Sequence, residues 1–135
     1  MSVFIDTSAF LAILNRDDLW AVRAGRQWRH LVENEATMLT TSYVVLETTA
    51  ILQRRIGMDA VRAFVDAVLP PVDVFPVDSK LHSAALSHLL VANRRELSLV
   101  DCCSFEIMRN LGVRTAFAFD KHFSEQGFQL CVDMS

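Results

Sequence analysis

The sequence predicts an α/β fold built around a mainly parallel sheet, and three observations support that prediction. Short apolar runs alternate with longer segments of helical periodicity, which is typical of repeated strand–helix–strand units. The first run, residues 3–5, is apolar at every position, as expected for a strand that is covered on both faces. Hydrophobic residues make up 52% of the 135 positions, enough to bury a substantial core.

Five segments have the composition of strands. They span residues 3–5, 38–40, 72–77, 115–119 and 129–132. Each is rich in aliphatic, aromatic or β-branched residues and is flanked by residues that favour turns or helix starts. Helical segments separate most of these strands, which favours parallel pairing through crossover connections.

Six segments are predicted to be helical. They span about residues 8–14, 19–33, 42–57, 59–69, 79–92 and 98–112. Trp20 and Trp28 belong to an apolar stripe along the second segment, so both are expected to lie in the core or at a contact with a second copy of the chain. Ser42 is predicted to cap the third helix, and Ser98 and Gly112 are predicted to begin and end the last.

We expect one domain over residues 1–135, because no linker, repeat or low-complexity segment divides the chain. No apolar run approaches the roughly 20 residues of a membrane span, and the first residues do not resemble a signal peptide. The cysteines at 102, 103 and 131 fit small buried hydrophobes better than disulfides or a zinc site. These features predict a cytoplasmic protein without a membrane partner.

Two aspartates follow predicted strands. Asp6 comes directly after the first strand, and Asp120 comes directly after the segment 115–119. Open α/β sheets bind ligands beyond the carboxyl ends of their strands, so both residues are candidates for a functional site. The alternative is that each acid only begins a turn or caps a helix.

Glu47 lies on an apolar helical face. Its neighbours at three and four positions are Tyr43, Val44, Ala50 and Ile51. A buried carboxylate is costly unless it has a cation, a metal ion or a chemical task, so Glu47 is a candidate site residue. The alternative is that this face is exposed and Glu47 is solvated.

Asp101 occupies the fourth position of Ser98-Leu99-Val100-Asp101, which matches a helix capping box. One carboxylate oxygen can serve the cap while the other faces the edge of the sheet. Ser104, one helical turn later, is expected beside it as a supporting residue.

Four acids from separate elements can therefore converge on one edge of the sheet. Oxygen ligands without His or Cys suit Mg²⁺ or Mn²⁺, and such ions often act on phosphate groups. The net charge of −3 would be unusual for a protein that binds nucleic acid by bulk electrostatics, but not for one with an acidic metal pocket. No phosphate-binding loop of the Gly-x-x-x-x-Gly-Lys type is present, so a nucleoside triphosphate is not expected.

At these residues the chain resembles the PIN-domain family, and within it the VapC-type toxins of bacterial toxin–antitoxin pairs. The matching segments are VFIDTS at 3–8, VVLE at 44–47, LSLVDC at 97–102 and FDKHF at 119–123. Successive acids lie 41, 54 and 19 positions apart, and this order and spacing are more specific than any single segment.

The resemblance implies a three-layer α/β/α fold with a parallel sheet of about five strands. It implies an endoribonuclease that depends on Mg²⁺ or Mn²⁺, in which metal-activated water attacks a phosphodiester and leaves a 5′-phosphate and a 3′-hydroxyl. The implied catalytic residues are Asp6, Glu47, Asp101 and Asp120. Of these, Asp6, Asp101 and Asp120 are the implied metal ligands, and Ser8 is an implied supporting hydroxyl.

The resemblance also implies partners. They are an RNA substrate, a VapB-type antitoxin and a second copy in a homodimer. The apolar helical surface of the chain supports the dimer as well. Among the basic residues, Arg94 and Arg95 precede the predicted Asp101 helix, and Arg54 and Arg55 end the Glu47 helix. These four arginines are candidates for phosphate contacts, with solvated surface as the alternative. His122 is taken as a surface residue.

Other functions remain in view. A PIN-type ribonuclease could act in RNA maturation without being a toxin, and a silent PIN-like protein could serve as an interaction module. Intact acids argue against the silent module. A phospho-acceptor receiver domain would need an acidic pair after the first strand, where Asp6 stands alone.

Overall fold

A five-stranded sheet, parallel throughout, forms the centre of the computed structural model, which describes residues 1–132. The strands are β1 (Ser2–Ile5), β2 (Thr37–Thr41), β3 (Val72–Phe75), β4 (Thr115–Phe117) and β5 (Gln129–Leu130). Their spatial order is β3-β2-β1-β4-β5. The predicted α/β class and the five predicted strands are therefore confirmed.

The direction of chain progress across the sheet changes at β1. The chain moves outward from β1 through β2 to β3, and then returns to place β4 on the other side of β1. Right-handed crossovers in opposite directions put helices on both faces of the sheet. The carboxyl ends of β1 and β4 lie side by side, with Ile5 in register with Phe117. This is the position at which parallel sheets open a crevice for ligands.

Seven α-helices surround the sheet within the described residues. They are α1 (Thr7–Leu14), α2 (Ala21–Glu33), α3 (Ser42–Arg55), α4 (Met58–Ala63), α5 (Ser79–Ala92), α6 (Leu99–Leu111) and α7 (His122–Glu125). A π-helical turn, Phe64–Val68, continues α4, so the helix predicted over 59–69 is one segment with two helical geometries. The short helix α7 was not predicted, because four residues carry no readable periodicity.

The predicted cap of α3 is wrong by one residue. Thr41 caps the helix, and its hydroxyl accepts a hydrogen bond from the Val44 amide at 3.2 Å. The Ser42 hydroxyl instead accepts a hydrogen bond from the Val77 amide at 2.9 Å. β3 ends at Phe75, two residues before the end of the predicted strand over 72–77.

The core lies on both faces of the sheet. Val3, Phe4 and Ile5 in β1 are all fully buried, which confirms the interpretation of this run as a central strand. Trp20 and Trp28 pack against the main core cluster, which is one of their two expected positions, and Trp20 stacks on Phe119 with ring centroids 5.3 Å apart. The apolar stripe of α2 thereby anchors the chain just before Asp120.

A smaller apolar cluster joins α5 and α6. It contains Leu81 and Ala85 from α5 and the adjacent Cys102 and Cys103 from α6. Both thiols are free and buried, as predicted, whereas the free thiol of Cys131 is only partly buried. Every helix among residues 1–132 is too short or too polar to cross a bilayer.

Candidate acidic site

The four predicted acids line one open cleft of about 380 Å³ at the carboxyl edge of the sheet. Asp6 follows β1, Glu47 lies on α3, Asp101 lies in the first turn of α6, and Asp120 follows β4. The fold thus brings together residues that are separated by up to 114 positions in the sequence. Ser8 and Thr7, at the start of α1, line the same cleft.

Asp6 is held rigidly at the end of β1. Its Oδ2 accepts hydrogen bonds from the Ser8 amide at 3.2 Å and from the Ser8 hydroxyl at 2.7 Å, so Asp6 also caps α1. The Ser8 hydroxyl in turn accepts a hydrogen bond from the Phe119 amide at 2.9 Å. Ser8 therefore ties the chain after β1 to the segment that carries Asp120.

Burial raises the pKa of Asp6 to about 7, and the negative charges of Asp120 and Asp101 add to the rise. The two hydrogen bonds from Ser8 oppose it. Asp6 is only 3% exposed, so its charged form has little contact with water. A bound cation would remove this electrostatic penalty.

Glu47 is half-buried on α3 and faces the other acids. Burial is the main cause that raises its pKa, and the charges of Asp101 and Asp120 contribute. A contact with the Thr7 hydroxyl lowers it. Thr7 is 6% exposed, and its hydroxyl forms no hydrogen bond of good geometry within residues 1–132. The Thr7 hydroxyl is therefore a buried polar group beside the Glu47 carboxylate.

Asp101 combines both roles that the sequence left open. Its amide donates to the Ser98 hydroxyl at 3.0 Å, and its Oδ2 accepts a hydrogen bond from the Ser98 amide at 3.1 Å. The predicted capping box is thus confirmed, and Asp101 nevertheless lines the cleft. Ser104 does not join the cleft: its buried hydroxyl donates to the Val100 carbonyl at 3.0 Å within α6.

Asp120 is fixed by a local turn, in which its Oδ1 accepts a hydrogen bond from the His122 amide at 2.9 Å. Burial raises its pKa and the charge of Asp101 adds to the rise, while the His122 amide opposes it. His122 itself is not a surface residue, contrary to the prediction. Its side chain is 17% exposed and lines the cleft, and its Nδ1 has no hydrogen-bond partner among the described residues.

The arginines predicted to contact RNA lie outside the lining of the cleft. Arg94 forms ion pairs with Glu96 at 2.9 Å and with Glu125 at 3.1 Å, so two carboxylates already compensate its charge. Glu96 also lines the cleft, although it was not among the predicted site residues, because a glutamate in a loop carries no periodic signal. Arg95, and Arg54 and Arg55 at the end of α3, are exposed.

The donor set suits a hard divalent cation. Carboxylate oxygens dominate it, and three of the four acids have a raised pKa because of burial and mutual repulsion. Within residues 1–132, no three His, Cys, Asp or Glu side chains already enclose a metal position. An open arrangement of this kind fits Mg²⁺, which keeps several waters and is usually bound by one or two carboxylates together with substrate phosphates.

Comparisons with known proteins agree with this geometry. The family model of the PIN domain matches residues 3–129. The 23S rRNA-specific endonuclease VapC20 of Mycobacterium tuberculosis is 35% identical over 127 residues, which cover 93% of this chain and 95% of the relative.

Solved structures give the same result. The crystal structure of M. tuberculosis VapC20, a toxin that cleaves the sarcin–ricin loop, has a TM-score of 0.85 at 33% identity and covers 97% of this chain and 99% of its own. VapBC2 from Rickettsia felis, bound to a promoter DNA fragment, has a TM-score of 0.72, covering 98% of this chain and 100% of the matched chain. FitAcB from Neisseria gonorrhoeae has a TM-score of 0.68, covering 96% of both. At 13% identity, these last two show the fold alone. The fold, the order of the acids and the similarity over nearly the whole chain establish that this protein belongs to the PIN-domain family, in the group that contains VapC20.

Proposed function

We propose that this protein is an endoribonuclease that uses Mg²⁺ or Mn²⁺, and that it is the toxin of a type II toxin–antitoxin pair. The observation that carries the proposal is the convergence of Asp6, Glu47, Asp101 and Asp120 on one cleft. The 35% identity to a 23S rRNA-specific endonuclease supports RNA as the substrate.

Each acid has a distinct part in this proposal. Asp6, Asp101 and Asp120 would hold the cation, which when bound would neutralise charge on the phosphate and lower the pKa of a coordinated water. Glu47, on a separate helix, would accept a hydrogen bond from the attacking water, orient that water and take up its proton. Ser8 is a positioning residue, because its hydroxyl fixes the carboxylate of Asp6 and the chain that leads to Asp120.

RNA phosphates need positive groups beside the cleft, because the cleft itself is acidic. Arg54 lies seven positions after Glu47, which places it on the same face of α3 about 10 Å along the helix axis. Arg95 is exposed in the connection that leads to α6. We assign the backbone contacts chiefly to Arg95, Arg54 and Arg55, because the charge of Arg94 is already engaged by Glu96 and Glu125.

The substrate we propose is a structured loop of 23S ribosomal RNA. VapC20 cleaves the sarcin–ricin loop, and its structure matches 97% of the present chain. The proposal implies that a folded RNA loop, rather than any single strand, presents the scissile bond. Single-stranded loops expose bases and backbone that double-stranded RNA hides.

The test is cleavage of purified ribosomes and of total RNA, with and without chelator. We expect a single cut in 23S rRNA, with a 5′-phosphate mapped by ligation, in the presence of Mg²⁺ or Mn²⁺. EDTA should abolish it, and restored metal should recover it. A cut that persists in excess EDTA would exclude the proposed mechanism. Cleavage confined to precursor RNAs would favour a maturation role instead.

The acidic cleft also supports an antitoxin partner of the VapB type. Arg is the side chain best suited to grip two carboxylates, so the partner's C-terminal segment should place an Arg or Lys near Asp6 and Asp101. Co-expression with the protein of the adjacent gene should block cleavage, and replacing that basic residue by Ala should restore it. Inhibition that survives the replacement would exclude this mode of binding.

A homodimer is the further assembly that we propose. The outer face of α5 exposes Leu90 at 71% and Val91 at 86%, with Leu86 one turn earlier. Exposed aliphatic side chains grouped on one helix indicate a surface that another protein covers. The proposed complex and its RNA substrate are consistent with a cytoplasmic location, which stays a prediction.

A further inference from the structure

A second pocket, of about 480 Å³, adjoins the acidic cleft. Tyr43, Leu46 and Glu47 of α3 and Leu99 and Val100 of α6 line it. Glu47 lines both cavities, so a single side chain forms part of the boundary between them. Its volume is in the range of small-ligand pockets, which start at about 300 Å³.

The lining is apolar, and its aromatic ring is held in place. The Tyr43 hydroxyl and His82 Nδ1 of α5 share a hydrogen bond of 2.6 Å, and the two rings meet edge to face at 5.9 Å. Tyr43 also packs against the small cluster between α5 and α6. A ring fixed on two sides loses little conformational entropy when a ligand binds it.

The position of the pocket relative to the acids is set by the sequence of each helix. Tyr43 lies one turn before Glu47 on α3, and Leu99 and Val100 directly precede Asp101 on α6. A ligand in the apolar pocket therefore lies next to any phosphate held among the carboxylates. No Arg or Lys lines this pocket within the described residues, so it offers nothing to a phosphate.

We propose that this apolar pocket binds the unstacked base of a nucleotide that flanks the scissile phosphate, and so contributes to the choice of the cut site. The inference rests on the proposed ribonuclease function. One ribose joins a base to its phosphate, so a base beside a phosphate in the cleft must occupy an adjoining space. Flat, apolar base faces suit a pocket of aliphatic side chains and one aromatic ring.

The test uses a short RNA hairpin whose cut bond has been mapped with the wild-type protein. Each nucleotide that flanks the bond is replaced in turn by an abasic ribonucleotide, and kcat/KM is measured. We expect one replacement to lower kcat/KM about tenfold for the wild type, the order expected for a lost base–aromatic contact. Tyr43→Ala should lower kcat/KM on the intact hairpin to a similar extent. For this variant, the abasic replacement should cause no further loss of kcat/KM.

Two further variants separate binding from folding. Tyr43→Phe keeps the ring and loses the bond to His82, so it should retain sensitivity to the abasic position. Val22→Ala shortens an exposed aliphatic residue on α2, and it should behave as the wild type. Circular dichroism and light scattering on each variant exclude unfolding and a change of assembly as the cause.

Several outcomes would overturn the inference. One is that the fold-losses of kcat/KM caused by Tyr43→Ala and by base removal multiply when the variant is tested on the abasic RNA. That result would show that the ring and the base act independently and are not in contact. A change of mass with Tyr43→Ala would assign the pocket to a protein contact. An unchanged wild-type kcat/KM after base removal at both positions would reject the base pocket and leave the ribonuclease proposal intact. A wild-type protein that cleaves no RNA would reject both proposals.

Discussion

Asp6 serves both the local chain and the acidic cleft. Its Oδ2 accepts the hydrogen bonds from Ser8 that begin α1, and the residue also lines the cleft with the other acids. The alternatives of helix cap and site residue are therefore not exclusive at this position. Asn keeps an acceptor for the Ser8 amide, so Asp6→Asn removes the charge while preserving most of the cap.

The pKa of Asp6 leads to a prediction about pH in the metal-free protein. Its folded pKa is about 7 and the ordinary value is 3.8. Between these values the folded state holds a proton that the unfolded state has released, so the free energy of unfolding falls as pH rises and the loss is complete above about pH 7. Chemical denaturation in EDTA should show this decline, and Asp6→Asn should reduce it. Asp17→Asn, at an exposed acid, should leave the decline unchanged, and an equal slope in all three proteins would contradict the prediction.

Metal addition gives a second prediction for the same residue. Mg²⁺ or Mn²⁺ should raise the melting temperature of the wild type, because a ligand that binds only the folded state stabilises it. Asp6→Asn and Glu47→Gln should melt at or above the wild type without metal, gain less when metal is added, and cleave RNA roughly a hundredfold more slowly or worse. Calorimetry and RNA cleavage assays measure these quantities. A variant that melts lower without metal and cleaves normally would mark its residue as scaffold.

At the scale of single elements, α6 couples its own start to the cleft. Ser98 and Asp101 form the capping box, and Asp101 faces the other acids with the same side chain. α5 begins with a comparable cap, in which Asp78 accepts a hydrogen bond from the Leu81 amide at 2.8 Å. Asp78 does not line the acidic cleft, so the two caps differ in function but not in local chemistry.

This pair of caps provides a matched prediction. Ser98→Ala and Asp78→Ala should each lower the free energy of unfolding by about 1 kcal/mol, the usual loss for a removed N-cap. Only Ser98→Ala should also reduce RNA cleavage, because it removes the hydroxyl that accepts a hydrogen bond from the Asp101 amide and so loosens the helical turn that carries the Asp101 carboxylate, even though the Ser98 amide still donates to that carboxylate. Denaturation curves and cleavage rates decide the matter. Equal activity in both variants would show that the capping box does not position Asp101.

At the scale of the whole molecule, the exposed aliphatic residues of α5 predict self-association. Leu90 and Val91 form no part of either core cluster, and their exposure would be relieved by a second copy. Light scattering should give a dimer at micromolar concentration, and Leu90→Glu should shift it to a monomer without lowering the helix content. Val22→Glu, at an exposed aliphatic position on α2, is the control for added charge. A wild type that remains a monomer would refute the dimer.

Much of the fold could be predicted because its signals are local. A fully apolar run predicts the buried β1, and Ser98 with Asp101 predicts the start of α6, since a capping box needs only four consecutive residues. The order and spacing of the acids then pointed to the edge of the sheet at which they meet. The cap of α3 was misplaced because both Thr41 and Ser42 are suitable residue types, and the sequence does not record that the Ser42 hydroxyl is bonded to the distant Val77 amide.

The sequence by itself determined the fold class, the five strands and the four acids, because burial pattern and capping chemistry are written in neighbouring residues. Only the tertiary structure decided which groups face one another across the cleft. In the folded chain, Arg94 forms ion pairs with Glu96 and Glu125. His122 lines the cleft, and the Ser104 hydroxyl donates to a carbonyl of its own helix. Such pairings depend on segments brought together by packing, and no local pattern records them.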